Sequence, residues 1–470
     1  MRYDLIVIGG GPGGYAAAVY AAKHSMKVAL VEKDRLGGTC LQRGCVPTKA
    51  YLHTAETAEK VSRFFSGSAM TPVDRRAMLQ HKDEIVQQLT DGLHMLIKAN
   101  RVDLYTGQAR LTSMVAPFSV HILPSTPTAG NELNGPSVNE ERELEAPFVL
   151  LAAGCKPVRL PVPGCDDPGI WTSDDILGEA GAENFNSLFV VGGGVIGTEM
   201  ACIYARLGVS VVVLEAEKSC LPFMDRELSR ATETLLKGMG VRVVTNARLN
   251  SAKRQGAEYV LSVARGDDTL CFMSDRVLLA TGRRPVTEGL FGKDVAIRLE
   301  NGWIAANNHF ETSISGVYAI GDINGQIQLA HAAHAQGLAA VSYMLGISPS
   351  VNTQIVPSCV YTSPEIASVG LTQGEAKARG MEVLTGKALT TQNARTLIEG
   401  LGRGFIKLVF DKQTLKLLGA QLFCGRATDI VGELTLAISQ GLTAHALIEP
   451  MRAHPTFYEA VTEAVEAALR

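Results

Sequence analysis

A strand, a glycine turn, a helix and a second strand occur in that order twice in this 470-residue chain, and the repeat restricts the fold more than any other feature. The first copy spans residues 3–32 and the second spans residues 187–215. Each copy ends on an acid, Glu32 or Glu215, at the same distance from its first glycine. The glycines are Gly9, Gly11 and Gly14 in the first copy and Gly192, Gly194 and Gly197 in the second.

The G-x-G-x-x-G spacing in both copies is typical of dinucleotide binding. The first glycine permits a tight turn, the second lets the backbone approach a diphosphate, and the third lets the helix pack on the strand. The diphosphate then lies at the helix N-terminus, where free N–H groups and the helix dipole favour an anion. A single fingerprint could be an ordinary glycine turn, but the full context occurs twice. The sequence therefore predicts an α/β fold with two Rossmann-like dinucleotide-binding domains.

The acids that end the second strands indicate which dinucleotides fit. Glu32 and Glu215 can each accept hydrogen bonds from a ribose, and an anion at Glu215 repels a 2′-phosphate. Glu215 therefore favours NAD over NADP. Two nearby basic residues, Arg206 and Lys218, weaken this preference. One nicotinamide and one flavin would make chemical sense together, since a flavin passes electrons from a hydride donor to a sulfur centre.

Composition excludes several other functions. The chain is 46% hydrophobic, 6% aromatic and 19% charged, as in a packed α/β protein, and its net charge of -3 provides no basic field for nucleic acid. No apolar stretch approaches the roughly 20 residues that span a bilayer, and the first residues do not resemble a signal peptide. We therefore expect a cytoplasmic protein with neither a membrane nor a nucleic acid as partner.

The rest of the chain suggests a third domain. Residues 74–100 have the pattern of a long amphipathic helix, and residues 122–146 that of an exposed hairpin or loop. From about residue 346, scattered strands such as 405–410 and 417–423 predict an antiparallel sheet with helices, hence an α+β domain that ends in a helix over 456–469. Buried strands that end at glycine, at 147–157 and 276–285, mark the predicted crossovers. The expected division is residues 1–150 and 277–345 for the first dinucleotide domain, 151–276 for the second, and 346–470 for the third.

A close cysteine pair follows the first fingerprint in the segment G-G-T-C-L-Q-R-G-C-V-P-T-K. In a regular helix, Cys40 and Cys45 would lie beyond the ~7 Å limit for a disulfide, so bridging them needs a distorted first turn. Gly44 supplies backbone freedom for that distortion, and a helix N-terminus would lower a thiol pKa. Half a zinc site would need a second close Cys/His pair, which the other seven cysteines do not form. Two unreactive buried cysteines remain an alternative.

This cysteine segment resembles the redox-active signature of the class I pyridine nucleotide-disulfide oxidoreductases, and the resemblance covers essentially the whole chain. S-G-V-Y-A-I-G-D, at 315–322, is similar to the family's second flavin motif, and L-A-T-G-R-R-P resembles the strand that joins the nucleotide regions. The family implies FAD and NAD as cofactors. It also implies that Thr39 and Asp322 contact FAD, with Asp322 on the ribityl chain, and that Gly282 contacts NAD.

The same resemblance assigns roles at the redox centre. Cys40 would exchange with substrate, and Cys45 would form the charge-transfer contact with the flavin. Lys49 would lie beside the flavin N5, with Glu199 as its ion-pair partner. From the residues alone, Lys49 is a lysine on a helix face, and Glu199 is an acid in an apolar helix, which itself suggests a partner.

Near the C-terminus, R-A-H-P-T-F-Y-E resembles the family's His-Pro-Thr segment. It implies that His454 is the base and Glu459 its orienting carboxylate, supplied to Cys40 from the other subunit of a homodimer. Imidazole suits this task because it accepts a proton near neutral pH. Alternatively, Glu459 completes a capping box with Thr456 at the start of the last helix, and we expect one carboxylate to serve only one of these roles. No metal site is predicted.

Three functions are compatible with these residues. The first is oxidation of protein-bound dihydrolipoamide with NAD, in which electrons pass from the dithiol through Cys40–Cys45 and FAD; the partner would be a lipoyl-bearing protein of a 2-oxoacid dehydrogenase complex or the glycine cleavage system. The second is an NAD(P)H-dependent disulfide reductase of the glutathione or mercuric reductase type. The third is a non-catalytic nucleotide-binding scaffold. Arg452, where the family's lipoamide enzymes usually have a second His, is a departure that could alter the substrate channel.

Overall fold

The structure, a computed structural model, describes residues 1–64, 73–124 and 141–470. Its elements follow in chain order. The first group comprises β1 (Leu5–Ile8), α1 (Pro12–Lys23), β2 (Val28–Glu32), α2 (Gly38–Arg43), α3 (Cys45–Phe64), α4 (Arg75–Ala99), β3 (Asp103–Thr106), β4 (Gln108–Leu111), β5 (Phe118–Leu123), β6 (Arg142–Ala146), β7 (Phe148–Leu151) and β8 (Cys155–Pro157).

The second group comprises β9 (Ile170–Trp171), α5 (Ser173–Ile176), β10 (Ser187–Val191), α6 (Val195–Arg206), β11 (Ser210–Leu214), α7 (Arg226–Gly238), β12 (Arg242–Val244), β13 (Arg248–Gln255), β14 (Glu258–Arg265), β15 (Asp268–Ser274), β16 (Arg276–Leu279) and β17 (Arg283–Pro285). A short 3-10 helix, Glu179–Ala182, precedes β10.

The third group comprises β18 (Leu299–Glu300), β19 (Trp303–Ile304), β20 (Val317–Ala319), α8 (Ala330–Met344), β21 (Ser358–Val360), β22 (Glu365–Gly370), α9 (Gln373–Ala378), β23 (Val383–Leu389), α10 (Ala394–Ile398), β24 (Phe405–Asp411), β25 (Leu417–Cys424), α11 (Ala427–Ser439), α12 (Ala444–Ile448) and α13 (Glu459–Leu469). Two further 3-10 helices lie at Gly321–Asn324 and Thr390–Gln392.

Two five-stranded parallel sheets carry the repeated sequence pattern. The first has the order β20-β7-β1-β2-β3 and the second the order β12-β11-β10-β16-β9. In each sheet the fingerprint strand, β1 or β10, lies at the centre and is almost entirely buried, because helices cover one face and a three-stranded antiparallel sheet covers the other. The two Rossmann-like sheets are thus present as the repeat predicts.

The chain passes from the first sheet to the second and back through two adjacent strands. β8 leaves the first sheet after β7, and β17 returns from the second sheet after β16. The two strands pair antiparallel, with Cys155 opposite Pro285 and Pro157 opposite Arg283. We call this β8/β17 pair the crossover ribbon.

The C-terminal region forms the predicted α+β unit. Its antiparallel sheet has the order β21-β22-β25-β24-β23 and packs against α11 and α13. The last helix begins at Glu459, three residues after the predicted start, and its N-cap is Tyr458 rather than Thr456. The prediction of Thr456 as the capping residue was therefore wrong.

Two local predictions remain, a helix over 74–100 and a hairpin or loop over 122–146. The 74–100 helix is α4, and the Asp74 side chain caps it by accepting from the backbone N–H groups of Arg76 and Ala77. The ends of the predicted 122–146 hairpin or loop are strands, and β5 and β6 pair antiparallel beside β4, as in a hairpin. Residues 125–140 lie outside the described residues.

Two absences hold for residues 1–64, 73–124 and 141–470. No helix there is long and apolar enough to cross a membrane. Nor do three His, Cys, Asp or Glu side chains converge in a way that could hold a metal ion.

Candidate functional site

One cavity of about 1770 Å³ joins both fingerprints to the cysteine pair. Most of the predicted site residues line it: Gly9, Gly11, Glu32, Thr39, Cys40, Cys45, Lys49, Gly192, Gly194, Glu199, Glu215, Gly282 and Asp322. Gly14 and Gly197 lie behind the fingerprint turns, and His454 and Glu459 are not among the lining residues. The predicted nucleotide and redox residues are therefore brought together, whereas the predicted acid-base pair lies elsewhere on the chain's surface.

The glycines of the first fingerprint are needed for two different reasons. Gly9 has a φ of 106°, and a Cβ on Gly14 would lie 1.8 Å from the Gly9 carbonyl oxygen, so both positions are fixed by the protein's own packing. A Cβ on Gly11 would meet nothing closer than the Gly38 Cα at 3.9 Å. Packing does not require glycine at Gly11, but close approach of a diphosphate to the backbone does.

The glycines of the second fingerprint differ among themselves in the same way. Gly192 has a φ of 110°, and a Cβ on Gly197 would lie 1.9 Å from the Gly192 carbonyl oxygen. A Cβ on Gly194 would meet nothing within 4 Å. Gly194 therefore borders the same kind of open, backbone-lined space as Gly11.

The two strand-end acids are held in the same way. Glu32 accepts hydrogen bonds from the N–H of Gly10 at 2.6 Å and of Asp34 at 2.9 Å. Glu215 accepts from the N–H of Gly193 at 2.7 Å and of Glu217 at 2.8 Å. Each carboxylate oxygen has a second lone-pair direction that a ribose hydroxyl can use. Burial raises the pKa of Glu32, and its two N–H donors oppose that rise.

The two basic residues near Glu215 in the sequence, Arg206 and Lys218, do not line the cavity. Arg206 is almost fully buried and donates to the Glu59 carboxylate at 2.8 Å. Lys218 is exposed and does not line the cavity. Of Glu215, Arg206 and Lys218, only Glu215 lines the cavity.

A break between two helices brings the cysteines together. Cys40 lies in α2 and Cys45 begins α3, with Gly44 between them at φ -143° and ψ -108°, outside helical values. A Cβ on Gly44 would lie 2.8 Å from the Thr39 carbonyl oxygen, so the close approach requires glycine. The distortion predicted for this turn is present.

Both cysteines are free thiols in this structure. The Cys40 thiol donates to Cys45, and this contact, with the nearby Lys49 ammonium, lowers the pKa of Cys45 to about 7. The same contact and burial raise the pKa of Cys40. In the reduced pair the thiolate therefore resides on Cys45, which faces the cavity beside Lys49.

Lys49 and Glu199 form a partly buried ion pair. The Lys49 ammonium lies 2.9 Å and 3.0 Å from the two carboxylate oxygens, and the Glu199 side chain is 4% exposed. The Tyr361 N–H donates to Glu199 at 2.9 Å, and its ring lies 4.3 Å below the ammonium. Glu199, odd in an apolar helix, thus has the partner its position suggested. Sequence reasoning missed Tyr361, since nothing in its local pattern indicates a contact across domains.

His454 and Glu459 lie in a turn at the start of α13. The Nδ1 atom of His454 lies 2.7 Å from one Glu459 oxygen, while the other oxygen accepts from the Thr456 N–H at 2.9 Å. The carboxylate therefore contacts both His454 and the Thr456 backbone, although Thr456 does not cap the helix. These contacts lower the pKa of Glu459, and the His454 side chain is 72% exposed.

Arg452 points away from that exposed imidazole. Its side chain is 7% exposed and forms an ion pair with Glu433 at 2.5 Å. It also donates to the Leu447 carbonyl at 3.0 Å and to the Thr462 hydroxyl at 2.9 Å. The departure from the usual His therefore places a packing residue between α11 and α13 rather than a charge beside His454.

The lining residues fit a flavin dinucleotide at the first fingerprint and a nicotinamide dinucleotide at the second. Gly11 and Gly194 border open space that no side chain fills. The Thr281 hydroxyl beside Gly282 is buried without a hydrogen-bond partner in the described residues, as expected of a group that meets a ligand. Sequence reasoning missed Thr281, although it lies in L-A-T-G-R-R-P directly before Gly282.

Two Rossmann-like sheets, a free-thiol pair and an antiparallel third domain define a nucleotide-linked disulfide oxidoreductase. The chain belongs to the pyridine nucleotide-disulphide oxidoreductase family, whose description matches residues 3–337, and residues 356–465 match the family's dimerisation domain. Members of this family use FAD and NAD, which fit the two fingerprints.

Similar proteins cover almost the whole chain. It is 36% identical to a dihydrolipoyl dehydrogenase of Bacillus subtilis over 99% of this chain and 98% of the relative. A dihydrolipoyl dehydrogenase of Thermus scotoductus is 38% identical over 99% and 97%. Among solved structures, LpdA from Mycobacterium tuberculosis has a TM-score of 0.88 at 26% identity, covering 98% of this chain and 99% of that one. The flavoprotein disulfide reductase RclA from Escherichia coli, in its Cu(II) complex, has a TM-score of 0.85 at 25% identity, covering 99% of each chain.

Proposed function

We propose that this protein oxidises protein-bound dihydrolipoamide to lipoamide with NAD as acceptor, through a Cys40–Cys45 disulfide and FAD. The observation that carries the proposal is the shared cavity, in which the thiol pair and the Lys49–Glu199 ion pair lie between the two fingerprints. Full-length similarity to dihydrolipoyl dehydrogenases supports the substrate class.

The reaction moves two electrons from one dithiol to one nicotinamide. A substrate thiolate attacks Cys40 of the disulfide, which releases Cys45 as a thiolate. The second substrate thiolate attacks the mixed disulfide at the substrate sulfur, which releases Cys40 and the cyclic disulfide product. FAD, when bound, supplies the two-electron relay from the cysteine pair to NAD. The overall balance is dithiol plus NAD⁺ to disulfide, NADH and one proton.

Residues of this chain stabilise the charged groups that the reaction needs. Lys49 stabilises the Cys45 thiolate as it leaves, and once Cys40 is a free thiol again its S–H also donates to Cys45. Together these contacts lower the pKa of Cys45 in the reduced pair to about 7. Glu199 fixes the position of Lys49, because three hydrogen bonds hold its carboxylate between the ammonium and Tyr361. Glu215 selects NAD by repelling a 2′-phosphate.

A homodimer completes the proposed site. His454, oriented by Glu459, would take the protons of the substrate thiols, yet it does not line the cavity of its own chain. We therefore assign this role to the partner subunit's His454. The match of residues 356–465 to a dimerisation domain supports the assembly.

The remaining assignments are proposals of the same kind. The partner is a lipoyl-bearing protein of a 2-oxoacid dehydrogenase complex or the glycine cleavage system. The location is cytoplasmic, since the seven cysteines outside the Cys40–Cys45 pair are all free and suit a reducing compartment. The domain division is 1–150 with 277–345, 151–276, and 346–470.

A second candidate is a disulfide reductase that runs from NAD(P)H toward a small disulfide. Similarity to a solved flavoprotein disulfide reductase favours it. The test compares purified, FAD-loaded protein with dihydrolipoamide and NAD⁺ against NADPH and glutathione disulfide. We expect turnover with the first pair only. Preference for NADPH and glutathione disulfide would replace the substrate assignment.

A further inference from the structure

The crossover ribbon begins at a buried cysteine. Cys155 is the first residue of β8 and is 5% exposed, and Arg283 is the first residue of β17. Backbone hydrogen bonds close both ends of the ribbon, from the Val286 N–H to the Gly154 carbonyl at 3.0 Å and from the Val158 N–H to the Gly282 carbonyl at 3.1 Å. Cys155 therefore sits on a fixed backbone between the two dinucleotide units.

The Cys155 thiol links the ribbon to the first nucleotide site. Its S–H donates to the Asp322 carboxylate at 2.7 Å, and the Arg283 Nε–H donates to the sulfur at 2.9 Å. Arg283 also donates to the Cys155 carbonyl at 3.1 Å. All three residues line the common cavity.

The protonation of the cluster agrees with these donor roles. Burial raises the pKa of the Cys155 thiol to about 12, and the charge of Asp322 and the hydrogen bond to it act in the same direction. The Arg283 charge opposes this rise. The sulfur therefore keeps its proton near neutral pH. Burial raises the pKa of Asp322, and the S–H donor opposes that rise. A neutral thiol can accept from a guanidinium and donate to a carboxylate at the same time, which a thiolate or an alanine cannot do.

We propose that Cys155 is a positioning residue that holds the Asp322 carboxylate in place for FAD and ties it, through Arg283, to the strand that returns from the NAD-binding unit. The inference rests on the proposed contact between Asp322 and FAD. A cysteine that only fills space would need no such pair of partners, and its loss would change packing without changing flavin affinity.

The experiment measures FAD affinity and the visible absorption spectrum of the reconstituted full-length protein. Cys155→Ala should weaken FAD binding about tenfold or more, the order expected when a buried carboxylate loses a hydrogen bond. Cys155→Ser, whose hydroxyl accepts and donates in the same directions, should restore affinity to within about threefold of the parent protein. Arg283→Lys should weaken FAD binding less than Cys155→Ala but more than Cys155→Ser. A lysine lacks the planar guanidinium that donates to the sulfur and to the carbonyl oxygen at the same time.

Two controls separate the possible outcomes. Cys165→Ala removes a fully buried thiol that does not line the cavity, and it should leave the FAD dissociation constant unchanged even if the melting temperature falls. Asp322→Ala tests the assumption beneath the inference: if it binds FAD as tightly as the parent, the proposed Asp322 contact is wrong. If Asp322→Ala loses FAD but Cys155→Ala does not, or if Cys155→Ser loses as much affinity as Cys155→Ala, Cys155 is a packing residue and the inference is overturned.

Discussion

The two dinucleotide units are built from the same hydrogen bonds but lead to different chemistry. In both, the acid at the strand end accepts from the N–H of the glycine that lies between the first two fingerprint glycines, Gly10 or Gly193. In both, the segment after the acid also donates back to that glycine's carbonyl, from Gly37 in the first unit at 2.8 Å and from Leu221 in the second at 2.9 Å. The likeness thus extends beyond the repeated sequence.

The units diverge in the chain segment just after this shared hydrogen bond. In the first unit, Gly37 leads into α2, and a Cβ on Gly38 would lie 2.8 Å from the Gly11 Cα, so the cysteine helix packs against the fingerprint. In the second unit, Leu221 is held at a φ of 49° and leads to α7, with no cysteine pair. The scaffold binds a nucleotide, and the segment after the acid adds the chemistry.

The cysteine pair gives the largest expected effect. Cys45→Ser should lower dihydrolipoamide-dependent NAD⁺ reduction at least about 10³-fold, because a serine cannot form the disulfide that carries electrons. Cys220→Ala is the matched control in the second unit, since Cys220 also follows the strand-end acid but is buried. It should keep turnover within about threefold. Full turnover in Cys45→Ser would mean that the units do not differ in the proposed way.

Substitution of Gly11 and Gly194, the glycines that border open space, tests whether each unit binds its own nucleotide. Gly11→Ala should weaken FAD binding, and Gly194→Ala NAD binding, each by roughly 100-fold, because a methyl group would occupy space that the diphosphate needs. In the nucleotide-free form, both variants should melt close to the nucleotide-free parent, since the nearest atom to either methyl group is the Gly38 Cα, 3.9 Å from a Cβ on Gly11. Gly14→Ala is the contrasting variant and should unfold at a lower temperature. Separate titrations of each nucleotide, by fluorescence or calorimetry, provide the readout.

The strand-end acid of the second unit should set nucleotide choice. Glu215→Gln removes the charge and leaves one acceptor oxygen where the carboxylate has two. We therefore expect KM for NAD⁺ to rise about tenfold and discrimination against NADP⁺ to fall. Glu217→Gln, an exposed acid two residues away, is the control. Unchanged kinetic constants in Glu215→Gln would indicate that the second unit selects its nucleotide elsewhere.

The smallest expected effect is a pH shift in the first unit. In the reduced protein, the rate of Cys45 alkylation by iodoacetamide should rise with pH and reach half its maximum at about pH 7, where the thiolate is half formed. Lys49→Met should move this midpoint upward by about one pH unit, since a nearby cation favours the thiolate. Lys60→Met, an exposed lysine on the same helix, should leave the midpoint unchanged. A midpoint that stays near 7 in Lys49→Met would assign the low pKa to Cys40 alone.

The sequence could predict the two units because each depends on short-range constraints. Glycine spacing and the buried strand pattern reflect local turns and packing, so both sheets and the cysteine turn were predictable. The start of α13 was placed three residues too early because the Thr456 hydroxyl donates to the Ala453 carbonyl and caps no helix N–H, which a linear motif does not reveal.

Contacts between distant segments could not be predicted from local patterns. Tyr361 meets Glu199, and Cys155 meets Asp322, across more than 150 residues of chain. The α4 pattern predicted a helix but not its covered face, since Leu89 and Leu96 are exposed whereas Val86 and Ile97 are buried. Such choices depend on which neighbours the whole fold supplies.

The side-by-side strands of the crossover ribbon place the two ends of the NAD-binding unit next to each other. The chain enters and leaves this unit at hydrogen-bonded neighbours, Val158 and Gly282, so a few linking residues would suffice to rejoin the parent sheet after excision. A donor unit with the opposite nucleotide preference could be grafted at the same two positions. Such a graft would have to keep a carboxylate in the position of Glu199, because this residue of the NAD-binding unit holds Lys49 beside the cysteine pair.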